Sequence, residues 1–269
     1  MIDVLNLIRT LAFGPFLVLA FFAGAFIFWK KGKEEYYDEH LLFDVLLSTA
    51  FWGFIGARLG FILVHFNEFG FDVLKWFSLM SYPGYLGFSG LLTGAYGMFM
   101  QTKTLRWDSF EIADFSAMAV ALSTVVISIG MFVNGSGFGN ATTLPIGLTF
   151  PGVFDKHHPT QLYAAIAYLG LFFLLWRLEG VYRTFLWYRE NRRTAQTGFI
   201  FAIFCMGFGA IGLGLSAVQQ GMIVAYGFSV DVVLYIASII GGFVVLYNRS
   251  GRSFSFPKKK APLHQAEQV

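Results

Sequence analysis

Seven long apolar runs, separated by short polar segments, dominate the pattern of hydrophobic and polar positions in this chain. The runs lie near residues 11–29, 44–65, 84–101, 112–133, 161–178, 198–218 and 228–247. A helix that crosses the hydrocarbon core of a bilayer needs about 20 predominantly apolar residues. The first run lacks the basic leader of a signal peptide, because Asp3 and Arg9 precede it and Lys30, Lys31 and Lys33 follow it. The pattern therefore predicts seven membrane-spanning helices, the first of them uncleaved.

The basic residues concentrate in every second connection of this arrangement. Segments 30–43, 102–111, 177–197 and 248–269 hold fifteen of the 19 lysines and arginines. Cytoplasmic loops carry an excess of Lys and Arg, so these segments are assigned to the inside. The sequence thus predicts an all-α integral membrane protein with seven transmembrane helices, the N-terminus outside and the C-terminus inside. Residues 134–160 form a small irregular segment on the outer side.

Composition agrees with a membrane protein. Charged residues make up 13% of the chain and hydrophobic residues 56%, whereas soluble domains average about 25% charged residues. We expect one polytopic membrane domain over residues 1–269. The net charge of +3 is explained by the loop lysines and arginines, so no nucleic-acid partner is expected. Cys205 is the single cysteine, and the sequence offers no metal-ligand or cofactor motif, so we expect neither a metal nor a cofactor.

Several shorter features add detail to this arrangement. Segment 66–83 mixes aromatic and charged residues and is predicted to lie at the outer membrane surface, with segment 180–193 as its inner counterpart. The basic tail 249–269 is predicted to be disordered. The spacings Gly56-x-x-x-Gly60 and Gly90-x-x-x-Gly94 are typical of closely packed membrane helices.

The segment around 128–163 is the strongest candidate for a functional site. It has six glycines, four of them between residues 130 and 139, and three prolines in a stretch that continues no apolar run. Irregular backbone at a membrane is tolerated where protein covers it or where it lines a wet cavity. Asn134, Gln161 and Tyr163 at this outer rim are equally compatible with binding a lipid headgroup and with satisfying the looped backbone.

Arg58 is a charge inside a predicted span, which costs at least about 2.5–3.5 kcal/mol on insertion scales. Its guanidinium suits a lipid phosphate, and it equally suits a structural ion pair or a clamp on carbonyl groups. His65 and His158 are the candidate general bases, with His157 beside the latter. The His158-Pro159 pair is also a common start of a helix. Asp44 and Asp114 lie near the inner ends of spans, where we expect them to cap their helices.

Four motifs together resemble the prolipoprotein diacylglyceryl transferase family. They are GARLGF at 56–61, EIAD at 111–114, IGMFVNG…FG…LPIGLTFP within 129–151, and HPTQLYAA at 158–165. The resemblance implies a bacterial inner-membrane enzyme that moves a diacylglyceryl group from phosphatidylglycerol to the cysteine thiol of a lipoprotein signal. It also implies phospholipid, and a prolipoprotein signal helix, as partners. The positions that match the family, and are assigned to lipid binding, are Arg58, Asn134, Gly135, Gly139, Gln161 and Tyr163.

The chain departs from the family pattern where the family carries polar and charged groups. Phe88-Ser89-Gly90 stands where the resemblance implies a His-Gly-Gly turn, and Ser128 and Met131 stand where it implies an arginine and an asparagine. Ser136 replaces a glutamate, Phe13 replaces a tyrosine, and residues 208–216 lack the arginine and glutamate of the sixth span. Without these groups, neither the thiol nor the departing phosphate has its usual help.

Two interpretations follow from this pattern. In the first, the protein no longer performs the transfer and retains phospholipid or lipoprotein-signal binding. In the second, it is an active diacylglyceryl transferase whose site is rebuilt from the outer basic residues Arg58, His65, Lys156, His157 and His158. A transporter or channel component is a third, weaker interpretation, because intramembrane acids and inverted repeats are missing.

Overall fold

Each of the seven apolar runs is helical in the computed structural model, which describes residues 2–78, 82, 84–182, 197–219, 224–225 and 228–249. The long helices are α1 (Ile2–Glu34), α2 (Glu39–Val64), α5 (Gly87–Thr104), α6 (Ser109–Asn134), α7 (Thr160–Tyr182), α8 (Phe199–Ser216) and α9 (Val230–Arg249). Two short helices, α3 (Phe66–Phe69) and α4 (Val73–Phe77), lie between α2 and α5.

Six helices of the described chain are long and apolar enough to cross a membrane. Their spans are Phe13–Glu34, Glu39–Val64, Ser109–Asn134, Thr160–Val181, Phe199–Ser216 and Val230–Arg249. Helix α5, rich in glycine and hydroxyl side chains, is not among them. The prediction of an all-α integral membrane protein is confirmed, with six candidate spans by length and composition.

Polar side chains just outside the apolar runs set where the helices begin. Asp38 accepts a hydrogen bond from the Leu41 amide at the start of α2, and Asp108 accepts one from the Phe110 amide at the start of α6. The prediction that Asp44 and Asp114 cap these helices is therefore wrong. Asp44 is an exposed residue inside α2. Asp114 is buried and caps a different helix, as described below.

Helix α6 lies in the middle of the bundle and packs against α1, α7 and α8. Its side chains Ile112, Phe115, Met118 and Ala121 are fully buried. Near its start, the carboxylate of Asp114 accepts hydrogen bonds from the amides of Gly198 at 2.8 Å and Phe201 at 2.7 Å. Unpaired amides at a helix start attract a negative charge, so Asp114 caps α8 from the neighbouring helix.

The helix ends that adjoin the basic segments lie at one end of the bundle, which we call the basic end. There Lys31 of α1 is buried and forms an ion pair with Glu179 of α7 at 2.8 Å. The Tyr37 hydroxyl donates to Glu111 of α6 at 2.6 Å. Burial, reinforced by that hydrogen bond to the carboxylate, raises the pKa of Tyr37. Arg249, the last residue of α9, lies 4.0 Å over the Phe110 ring, so α1, α6, α7 and α9 meet at this end.

The small-residue spacings on α2 and α5 form a close helix contact, as the sequence predicted. A side chain at Gly56 would overlap Thr93, and one at Gly60 would overlap Ser89. The contact continues where a Cβ at Gly90 would lie 2.9 Å from the Gly53 carbonyl oxygen. Because the Leu86 amide also donates to the Ala57 carbonyl at 2.9 Å, α5 runs antiparallel to α2 along most of its length.

The segment between α6 and α7 is irregular, as predicted, and residues 135–159 contain no helix. Strand β1 (Leu148–Thr149) pairs antiparallel with β2 (Lys156–His157). A second pair joins β3 (Val224–Ala225) to β4 (Phe228–Ser229). The inner surface segment predicted at 180–193 and the tail predicted at 249–269 lie almost entirely outside the described residues.

Candidate functional site

A cavity of about 620 Å³ opens between α2, α5, α6, α8 and α9. Small residues on facing helices create the space, among them the pairs Gly90 and Gly94 on α5, Ala113 and Ala117 on α6, and Ala237 and Gly241 on α9. Each pair is spaced four residues apart, so its members share one helix face. Larger apolar side chains such as Phe201, Phe204 and Leu234 complete the wall. None of the described residues that line the cavity carries a charge.

The cavity wall offers few polar groups, and most are already engaged. Ser116 donates to the Ile112 carbonyl at 2.9 Å, and Ser238 donates to the Cys205 carbonyl at 3.0 Å. The hydroxyl oxygen of Thr49 is buried and has no hydrogen-bond partner among the described residues. The thiol-bearing Cys205 also lines the cavity. The interior is thus built to receive apolar groups.

Some of the positions where the sequence departs from the family pattern lie on this wall, and others do not. Phe88 and Gly90, at the place where the resemblance implies a histidine turn, both line the cavity, and so does Phe208. Ser128 is buried in α6 and donates to the Thr124 carbonyl at 2.7 Å. Phe88, Gly90 and Phe208 thus contribute no charged side chain to the cavity wall.

Arg58 is not among the residues that line the cavity, and its guanidinium donates to backbone carbonyls. Its side chain is buried and donates to the carbonyl oxygens of Trp76 at 3.0 Å, Tyr82 at 2.7 Å and Gly84 at 3.0 Å, with a longer contact to Lys75 at 3.4 Å. These carbonyls belong to the segment between α2 and α5. These contacts match the clamp on carbonyl groups, which was one of the roles that the sequence allowed for Arg58 besides that of a phosphate ligand.

Two of the predicted lipid-binding residues are explained by the backbone of the irregular segment. Gly135 ends α6 in the left-handed conformation with φ 76°, a position that favours glycine. Gly139 approaches residue 218 so closely that a side chain would overlap the Val218 carbonyl. Whether either residue also touches lipid stays a prediction.

Asn134 and Gln161 meet at Ser136. The Asn134 side-chain amide donates to the Ser136 hydroxyl at 3.2 Å, and that of Gln161 donates to the Ser136 carbonyl at 2.8 Å. The side-chain oxygen of Gln161 is buried without a hydrogen-bond partner in the described chain. A ligand hydroxyl could satisfy this buried acceptor.

The histidines do not converge on a common point. Nδ1 of His65 lies 3.1 Å from the Phe61 carbonyl oxygen, and its ring stacks on Phe61. Nδ1 of His157 lies 2.8 Å from the Gly139 carbonyl oxygen, and His157 is buried. Nδ1 of His158 lies 3.4 Å from the Tyr163 hydroxyl, too long for a strong bond. No histidine lines the described cavity.

Comparison with known proteins gives these features a context. The pattern of the family described as prolipoprotein diacylglyceryl transferase matches residues 4–248. The chain belongs to this family. It is 25% identical over 210 residues to the phosphatidylglycerol–prolipoprotein diacylglyceryl transferase of Clostridium tetani, covering 75% of this chain and 78% of that protein. It is 28% identical over 223 residues to the enzyme of the same name from Legionella pneumophila, covering 78% and 82%. A third relative, from Cupriavidus necator, is 28% identical and covers 71% of both chains.

Membership in the prolipoprotein diacylglyceryl transferase family, together with six apolar spans, makes this a multi-pass protein of the bacterial inner membrane. The resemblance found in the sequence is confirmed. The cavity was not predicted from the sequence, and neither were the positions of Thr49 and Ser238 on its wall. The only signal for the cavity was the four-residue spacing of small residues on α5, α6 and α9, which also fits close helix packing.

Proposed function

We propose that this protein is a member of the prolipoprotein diacylglyceryl transferase family that binds membrane lipid in its central cavity without transferring a diacylglyceryl group. The observation that carries this proposal is the uncharged wall of the 620 Å³ cavity. Pockets of about 300–1,000 Å³ hold small-molecule ligands and are lined mainly by apolar side chains. Size and chemistry both suit a lipid chain.

The transfer itself demands more than this wall provides. The relatives act on phosphatidylglycerol and prolipoprotein, as their names state. A cysteine thiol is mostly protonated near neutral pH and needs a base, and a positioned base contributes roughly 10²–10⁴-fold in rate. Removing one donor from a developing negative charge costs about 2.7–4 kcal/mol. A site that lacks several such groups together is expected to retain binding and lose turnover.

The contacts of the outer basic residues favour structural roles over a rebuilt catalytic site. Arg58 is engaged with carbonyls near Trp76, whereas His157 and His158 lie on the segment between α6 and α7. Lys156 is exposed. A general base has to lie within hydrogen-bond reach of the proton that it removes. These groups belong to two different segments of the chain, and none is on the cavity wall.

Lipid is favoured over a lipoprotein signal helix as the occupant. The lining residues 88–98 on α5 span about 15 Å at a rise of 1.5 Å per residue. A helix about 10 Å wide would fill roughly 1,200 Å³ over that length. This is about twice the cavity volume, whereas one acyl chain of a lipid fits, and the rest of the lipid would extend from the cavity.

For the arrangement in the membrane, we propose seven spans with the basic end on the cytoplasmic side. Helix α5 would be the seventh span, because it runs antiparallel to α2 and ends beside the basic end. The ring of Trp107, just beyond α5, contacts that of Tyr37, just before α2, with centroids 4.6 Å apart. The 18 residues of α5 give a length of about 27 Å, close to the thickness of the bilayer core. The N-terminus would then be outside, and residues 1–269 would form one membrane domain.

The irregular segment 134–160 would lie outside, over the outer ends of α6 and α7. We propose that Gln161, with its unsatisfied oxygen, is the residue of this group best placed to bind a lipid polar group. Asn134, Gly135, Gly139 and Tyr163 would shape that surface. Arg58 would act mainly by holding the segment between α2 and α5.

A reconstitution assay tests the proposed function. The purified protein is placed in vesicles that contain phosphatidylglycerol and a signal peptide with a lipobox cysteine. Mass spectrometry then follows the diacylglyceryl thioether. We expect none above the peptide-only background, while the Clostridium tetani relative in matched vesicles modifies the peptide. Thioether formed by this protein, and abolished in Arg58→Ala or His158→Ala, would establish the rebuilt transferase instead.

A further inference from the structure

We infer that the central cavity selects lipids whose polar group is uncharged, such as diacylglycerol, over phospholipids. This inference rests on the proposed function and narrows its ligand. The cavity lies among five helices, and its described wall holds no cation that could pair with a phosphate. A buried charge without a partner is strongly disfavoured, whereas a buried ester or hydroxyl needs only one hydrogen bond.

The charged residue of α2 that lies level with the Phe88 end of the cavity is already bound to backbone. The wall reaches Phe88, one residue from the start of α5. At that level on α2 the charged residue is Arg58, since the neighbouring Ala57 carbonyl accepts from the Leu86 amide. Its guanidinium donates to the carbonyls near Trp76. A phospholipid with its tails in the cavity would therefore compete with these carbonyls for Arg58. Lys75, another described cation of the segment between α2 and α5, does not line the cavity, and its ammonium lies 5.8 Å from the Tyr82 ring centroid.

Thr49 supplies a polar contact for a neutral ligand inside the cavity. It lies ten residues past the start of α2, which is about 15 Å along the helix. Its buried hydroxyl oxygen has no hydrogen-bond partner among the described residues. Threonine populates two χ1 rotamers in a helix, so the hydroxyl can turn toward a ligand without breaking a bond. The hydroxyls of Ser116 and Ser238 would first have to give up their carbonyl partners.

A competition experiment tests the selectivity. The full chain, purified in maltoside micelles, receives equimolar dioleoylglycerol and dioleoylphosphatidylglycerol, which share their acyl chains, and native mass spectrometry counts the bound lipids. We expect at least tenfold preference for dioleoylglycerol. Equal binding, or a preference for the phospholipid, overturns the inference but leaves lipid binding without transfer intact. If neither lipid binds, the proposed function fails as well.

The chain's single cysteine locates the bound lipid, because Cys205 lines the cavity. Dioleoylglycerol should slow labelling of Cys205 by a small uncharged thiol reagent, with Cys205→Ser giving the background. Binding without protection would place the lipid elsewhere and overturn the inference.

The contribution of Thr49 is tested by removing its hydroxyl with little change in shape. Thr49→Val should weaken dioleoylglycerol binding about fivefold, which is about 1 kcal/mol. Thr49→Ser should retain binding. Thr124→Val is the matched control, since it makes the same change at a residue of α6 that does not line the cavity and whose hydroxyl is already bound to the Val120 carbonyl, and it should leave binding unchanged. Equal effects of Thr49→Val and Thr124→Val would refute the role given to Thr49.

Discussion

Replacing Arg58 with alanine separates the two roles that its position in the sequence allows. The side chain is 7% exposed and donates to three carbonyls within 3.0 Å and to a fourth at 3.4 Å. Hydrogen bonds that involve a charged group contribute about 1.5–3 kcal/mol each. The carbonyls lie at the end of the bundle away from Lys31, where water can replace part of what is lost. We therefore expect Arg58→Ala to lower the free energy of unfolding by about 3–5 kcal/mol.

The assay is unfolding of the purified protein by sodium dodecyl sulfate in mixed micelles, followed by intrinsic fluorescence. Limited proteolysis with chymotrypsin gives a local readout, because α4 and its neighbours are rich in aromatic residues. Cleavage between residues 66 and 86 should become faster in Arg58→Ala. The stability and cleavage rate of Arg58→Lys should lie between those of Arg58→Ala and the unchanged protein, since an ammonium group lacks the planar fork that reaches several carbonyls. Arg177→Ala, at an exposed position on α7, is the control and should leave both readouts unchanged.

The opposite pattern would refute this account of Arg58. If Arg58→Ala unfolds and is cleaved like the unchanged protein, the carbonyl contacts are not stabilising. If the same variant also loses binding of phosphatidylglycerol, Arg58 is more simply explained as a phosphate ligand. The inferred preference for uncharged lipids would then lose the argument that Arg58 is occupied by backbone carbonyls.

Three further substitutions test other parts of the structure. Asp114→Asn should weaken the cap of α8 by about 1–2 kcal/mol, seen as faster amide hydrogen exchange in its first turn, and unchanged exchange would contradict the cap. Gly56→Leu should separate α2 from α5 and lower the unfolding temperature by several degrees, because its side chain would overlap Thr93. Gly170→Leu is the control and should leave the unfolding temperature unchanged, because a side chain at Gly170 would have no neighbour within 4 Å. Lys31→Met should destabilise the protein by about 3–5 kcal/mol, and adding Glu179→Leu should restore much of that loss. A double variant no more stable than the single one would show that the pair contributes little.

The helices were predictable because each depends on a local pattern. A run of about 20 apolar residues must form its hydrogen bonds internally within a membrane, so a helix is the expected outcome. The predicted runs began several residues late, at 44 for α2 and 112 for α6, because the caps Asp38 and Asp108 and the first polar turns precede the apolar residues. The apolar pattern marks the span and does not mark the cap.

Features that depend on two distant segments could not be predicted from either segment alone. Asp114 looked like the cap of its own helix, but its carboxylate binds amides 84 and 87 residues later in the chain. The carbonyls held by Arg58 have no sequence signature, since every residue carries one. The cavity also depends on several distant segments. A pair of glycines or alanines lets two helices pack closely, but several such faces that meet together leave an open space. Local spacing does not distinguish these outcomes.

The distribution of buried charge explains how such a chain can keep its fold with an uncharged interior. The buried charged residues of the described chain are Lys31, Arg58, Asp114 and Glu179. Each lies within about two turns of a helix end and has partners there. A charge near the centre of a bilayer costs at least about 2.5–3.5 kcal/mol, so charged groups around a central cavity oppose stability and are retained for their chemistry. Losing them removes that cost without touching the contacts at the ends of the helices, so selection for the fold alone would favour the apolar cavity seen here.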